Sequence, residues 1–188
     1  MKVKCIYNKG IYLPKDLGIN DDSIFPLKLD KEYIVYSMTI NSGYAWYYVC
    51  DENFTYYPIW KPCPLFEIVD NGISHYWIFS YKKGINYIKA HAIWAYPEWA
   101  SDPDYYDKLT DGDEKEVSIF QAYKERMDLE FPNSAISSIA EIGDDKWLIC
   151  PKCMEAWQTT NSKDALVKCP KCQTILNNPR YKNDWPHL

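Results

Sequence analysis

Histidine is scarce in this chain: His75, His91 and His187 are the three in 188 residues. His75 sits beside Ser74, Tyr76 and Trp77 in a strand-like stretch, His91 is similar, and His187 is one residue from the C-terminus. Each reads as an ordinary core, surface or terminal histidine. Phosphate-binding glycine loops, a dinucleotide fingerprint, a nucleophile elbow and a zincin helix are all absent. An enzyme is thereby left without a nameable chemistry. No apolar run approaches the roughly 18 residues that a membrane helix needs. Met1–Gly10 lacks the basic-then-apolar order of an export signal. These absences lead to the expectation of a cytoplasmic protein with no membrane partner.

What is abundant is tyrosine and tryptophan. Aromatic residues make up 16% of the chain, with 17 Tyr and 8 Trp against 6 Phe, and hydrophobic residues reach 47%, which excludes disorder throughout. Tyr and Trp carry a polar group that must find a partner when buried. Their excess points to half-buried strand faces or to a binding surface. Charge is uneven. The formal net charge of -5 divides into 0 over residues 1–100, -8 over 101–149 and +3 over 150–188.

The first hundred residues predict short antiparallel strands. Ile34, Tyr36, Met38 and Ile40 alternate as if on one strand face. Asn41-Ser42-Gly43 then turns the chain into Tyr44–Cys50. Pro58 limits residues 54–60 to an edge, and Pro62 and Pro64 bracket a bend at Cys63. Leu65–Val69 and Ile73–Tyr81 flank the hairpin signal Asp70-Asn71-Gly72. Lys83-Gly84 precedes a last strand over 85–94. The expected class is mainly β with one or two helices, an antiparallel curved sheet or small barrel. Residues 97–113 read as a loop or a set of short turns. Asp113 and Glu116 look like a capping pair for an amphipathic helix over 114–130, and 135–142 is ambiguous between helix and strand.

Near the C-terminus a tetrapeptide repeats: Cys150-Pro151-Lys152-Cys153 and Cys169-Pro170-Lys171-Cys172, with fifteen residues between. This matches the two-pair spacing of zinc sites. Two residues between thiolates let one tight turn offer both sulfurs to one ion, and a second turn completes a tetrahedron. A single redox pair is the alternative, but two matched pairs favour a metal. Over residues 147–176 the chain resembles a zinc ribbon, which implies one structural Zn2+ held by Cys150, Cys153, Cys169 and Cys172. It departs from the ribbon pattern at Met154 and Gln173, where many ribbons carry glycine after the second cysteine. The sequence thus divides into a β-domain (1–100), an acidic loop and helix (101–144) and a ribbon module (145–188). Cys5, Cys50 and Cys63 share no spacing and read as buried free thiols.

Zinc with four thiolates carries -2, which takes the net charge from -5 to -7 and disfavours phosphate binding. The carboxylates Asp102, Asp104, Asp107, Asp111 and Asp113 miss the register of a calcium loop and read as a solvated acidic face. Tyr33, Val35, Tyr36, the run Pro62–Phe66 and Tyr76-Trp77 give the segment 31–79 a similarity to small bacterial β-domain proteins, some of them immunity proteins of polymorphic toxin systems. The resemblance implies a fold and a binding role, and no catalytic residue. The function favoured is a non-enzymatic protein-interaction module, immunity-like, that meets a basic protein partner through Trp99, Asp104, Tyr105, Tyr106, Asp107 and Asp111. The alternative is a zinc-ribbon nucleic-acid binder, with Trp157, Tyr181 and Trp185 stacking on bases; the third is an enzyme.

Overall fold

The computed structural model describes residues 1–41, 43–54, 56–82 and 91–182. The turn at Lys83-Gly84, the strand expected over 85–90, the side chain of His91, Trp185 and His187 lie outside the described residues. The chain divides into two compact units, Met1–Met127 and Asp128–Leu188.

Among the described residues the first unit holds eight strands: β1 (Lys2–Cys5), β2 (Glu32–Ile34), β3 (Ser37–Asn41), β4 (Tyr44–Val49), β5 (Ile59–Pro62), β6 (Phe66–Asp70), β7 (Ile78–Lys82) and β8 (His91–Ala95). They form two antiparallel sheets, ordered β2-β1-β6 and β5-β4-β3-β8-β7. The mainly β, antiparallel class is as expected, but the sheets are open and no barrel closes. The strand expected over 31–40 is two strands in two sheets. Val35 and Tyr36 are both buried although adjacent. One flat strand cannot bury neighbours on one face, so the chain changes sheet there: Val35 N–H donates to the Met1 carbonyl, Tyr36 N–H to that of Tyr48. At Asp70-Asn71-Gly72 the Gly72 N–H bonds the Asp70 carboxylate at 2.9 Å, but the tight turn follows later, at His75-Tyr76. The expected hairpin is not made, because β6 pairs with β1 instead.

Consecutive residues of β4 face opposite cores. Tyr47 joins Val3, Cys5, Tyr33, Val35, Val49, Leu65 and Phe66. Tyr48 packs against a second core of Tyr36, Ile93, Tyr96, Trp99, Tyr105, Leu109, Phe120 and Met127. The helices α1 (Pro97–Ser101), α2 (Tyr105–Asp111) and α3 (Glu114–Glu130) supply most of that second core. Helix α3 is the expected amphipathic helix; α1 and α2 replace the expected loop. Each short helix buries two residues, Trp99 with Ala100 and Tyr105 with Leu109. Pro97 opens α1, and Gly112 closes α2 in the left-handed region at φ 84°.

Several of the buried aromatic side chains satisfy their polar groups locally. Tyr96 hydroxyl donates to Tyr105 hydroxyl at 2.8 Å, which donates to the Glu116 carbonyl at 2.9 Å. Tyr106 hydroxyl donates to the Pro58 carbonyl and Trp77 Nε1 to that of Tyr36. A buried ion pair, Lys61 Nζ to Asp51 at 2.7 Å, lies in the same unit. Cys5 and Cys63 pack in or against the first core and Cys50 against the second. Burial pushes the Cys5 and Cys63 thiols up, so both stay protonated at neutral pH.

The second unit carries β9 (Glu141–Ile142), β10 (Trp147–Ile149), β11 (Ala156–Gln158), β12 (Leu166–Lys168) and β13 (Ile175–Asn177). Two small antiparallel sheets result, β11-β10-β9 and β12-β13. The ambiguous stretch 135–142 is not helical: it leaves a turn at 134–135, makes a bridge at Ile139 and ends in β9. The core is Ala140, Leu148, Cys150, Val167, Cys169 and Leu176. Six buried residues make a small core, of the kind in which a bound metal adds a large share of the stability.

Candidate metal centre

Each Cys-Pro-Lys-Cys segment forms the turn of a hairpin, β10–β11 or β12–β13. The two turns are built alike. Cys150 N–H donates to the Glu155 carbonyl and Cys169 N–H to that of Thr174, both at 2.9 Å. Met154 N–H returns to the Cys150 carbonyl at 2.9 Å and Gln173 N–H to that of Cys169 at 3.0 Å. Met154 and Gln173 adopt φ of 60° and 58°. The departure from the glycine of many ribbons therefore leaves the turn intact, at a cost of about 1–2 kcal/mol for each left-handed residue. Gln173 offsets some of it, since its Nε2 donates to the Pro170 carbonyl at 2.7 Å.

The two turns bring all four sulfurs within 4.8 Å of one another. Cys150 Sγ lies 3.7 Å from Cys172 Sγ, and Cys153 Sγ 3.6 Å from Cys169 Sγ. A tetrahedron with metal–sulfur bonds of about 2.3 Å has edges of about 3.8 Å. The observed spacings fit it, and the four cysteines form a group able to hold a metal ion. Cys150 and Cys169 are buried; Cys153 and Cys172 are half-buried.

Electrostatics favour a cation here. The Cys172 thiol is held down to about 6, by the Thr174 side chain 3.2 Å away and by the Thr174 N–H. For Cys153 the Glu155 N–H acts the same way, but desolvation and the three neighbouring sulfurs outweigh it and push the thiol up to about 12. One thiolate is thus stabilised, while further ionisation in so small a space requires a positive charge. Glu155 and Thr174 were missed at the sequence level. Both stand two residues after the second cysteine of a pair, and that shared offset was the available signal.

The six residues expected at a partner surface separate into two groups. Asp104, Asp107 and Asp111 are exposed on the outer side of α2, opposite buried Tyr105 and Leu109. Trp99 and Tyr105 are 3% and 1% exposed and belong to the core. Tyr106 is half-buried, stacked on Trp99 with centroids 5.6 Å apart. The rings hold the acidic helix in place, and the carboxylates face outward. Trp157 packs against the core of the second unit.

Comparison with known proteins finds no matching family model, no similar curated protein and no similar solved structure. The likeness to immunity proteins thus has no family match behind it, and the metal centre stands on its own geometry. No helix among the described residues is long and apolar enough to cross a membrane.

Proposed function

We propose that Cys150, Cys153, Cys169 and Cys172 hold one zinc ion and that its role is structural. The observation that carries this is the pair of matched turns with cross-turn sulfur spacings of 3.6 and 3.7 Å. Four thiolates are soft donors suited to zinc, and they fill a tetrahedron with no position left for water or substrate. Metal analysis of the purified chain tests it, with one zinc per chain expected. Loss of binding in Cys150→Ser together with Cys169→Ser is the matching result. A metal-free protein with native hydrogen-exchange protection would contradict it.

The chain as a whole we read as a non-enzymatic interaction module for a basic protein, of an immunity-like kind. Asp104, Asp107 and Asp111 on one side of α2 support this, since clustered negative charge steers a basic partner. Reversing all three to Lys should slow association with a partner captured from cells and flatten its salt dependence. Unchanged rates exclude this face. Binding to RNA or DNA at physiological salt would favour the nucleic-acid alternative, and a toxin-like gene beside this one would favour immunity.

A further inference from the structure

The two metal-site hairpins lie in separate sheets. They meet at their turns through the four sulfurs. The ends away from the metal are tied by the segment after β13. Asn177 exchanges backbone bonds with the stretch before β9: its N–H donates to the Ser138 carbonyl at 2.8 Å, and its carbonyl accepts from Ala140 N–H at 3.1 Å. Asn178 is buried, and its Nδ2 donates to the Asn161 and Asp164 carbonyls at 2.9 and 2.8 Å. Lys182 N–H donates to the Ser162 carbonyl at 3.1 Å.

Arg180 is the centre of this segment. Its Nη1 donates to the Thr159 carbonyl at 2.6 Å, and its Nη2 to the carbonyls of Asp144 and, at 3.1 Å, Trp147. Thr159 and Lys146 are hydrogen-bonded across the open end of the β10–β11 hairpin. A side chain carried on the exit of one hairpin therefore closes the mouth of the other. The planar guanidinium fork reaches these carbonyls from two separate nitrogens, where an ammonium offers one.

We propose that residues 177–182 are a clasp, with Arg180 as its positioning residue, that fixes one metal hairpin against the other and sets how fast the metal leaves. This rests on the metal reading above. A metal shared by two thiolate pairs is a bivalent complex. When one pair lets go, recapture competes with escape, and recapture depends on the effective concentration of the freed pair. With both ends tied the freed hairpin stays close. Without Arg180 it swings further, and release speeds up while the ligand set is unchanged.

The experiment uses the zinc-loaded full chain, with Arg180→Ala and Arg180→Lys, and follows zinc transfer to excess chromophoric chelator. The absorption of the cobalt-substituted forms reports the ligands. Arg180→Ala should release zinc on the order of tenfold faster, the worth of a charge-assisted hydrogen bond or more. Arg180→Lys should fall between, since a single ammonium nitrogen keeps the charge but cannot reproduce the two-nitrogen fork. The cobalt–thiolate spectrum should be the same in all three. Equal release rates in the wild type and Arg180→Ala, each holding one zinc, overturn the clasp and leave the metal reading standing. A changed cobalt spectrum in Arg180→Ala also overturns it. A wild type that binds no zinc fails the metal reading first. Should Arg180→Ala not fold, release from Arg180→Lys at the wild-type rate overturns the clasp.

Discussion

Met154 and Gln173 show what a residue-level reading can and cannot find. The four clustered cysteines are legible because a site able to hold a metal imposes a fixed spacing, whatever the rest of the chain does. The left-handed backbone behind each pair is not, because a glycine would have announced it and none is present. Two substitutions separate these effects. Met154→Gly should raise stability by about 0.5–1 kcal/mol, the relief of left-handed strain less the entropy a glycine adds to the unfolded chain. Gln173→Gly should be near neutral, since it also loses the hydrogen bond to the Pro170 carbonyl. Thermal melts of the metal-loaded variants measure both. A loss of stability in Met154→Gly would mean that the turn conformation is not strained.

At the scale of elements, length decided what the sequence revealed. Helix α3 runs for 17 residues and was legible from its periodicity and from Asp113, whose carboxylate accepts Lys115 N–H. Helices α1 and α2 span 5 and 7 residues, too few to show a period. The sheet change at Val35-Tyr36 and the pairing of β6 with β1 are long-range facts that local pattern does not encode. The tyrosine network gives two tests here. Tyr105→Phe removes the acceptor of Tyr96 and the donor to Glu116 and should cost about 1–3 kcal/mol in urea unfolding.

The second test is alkaline titration. Burial pushes Tyr47 and Tyr48 up to about 12, the charge of Asp107 adding to the rise at Tyr48, from an ordinary value of 10.0. Burial also raises Tyr96, Tyr105 and Tyr106. A raised folded value means that their contribution to stability is complete below pH 10 and is lost as pH rises toward 12. Tyrosinate absorbance should therefore lag the ordinary tyrosine curve and then rise together with unfolding. Smooth ionisation near pH 10 in folded protein would show that the cluster is open to water.

For the whole molecule, the uneven charge and the aromatic excess now have places. About half of the aromatic side chains build or flank the two cores of the first unit, while others such as Tyr12, Trp60, Phe79 and Tyr81 are exposed; the negative charge of the middle region includes the outer side of α2. Among the described residues the second unit has a core cluster of six buried residues, two of them cysteines of the candidate metal centre. Zinc contributes on the order of 10 kcal/mol to folding in small modules of this kind. The two units should therefore respond differently to metal removal. The decisive measurement is hydrogen exchange across the full chain before and after chelation. Protection should collapse over residues 140–178 while the strands of the first unit keep theirs. Unchanged protection over 140–178 in demonstrably metal-free protein would contradict a structural metal centre.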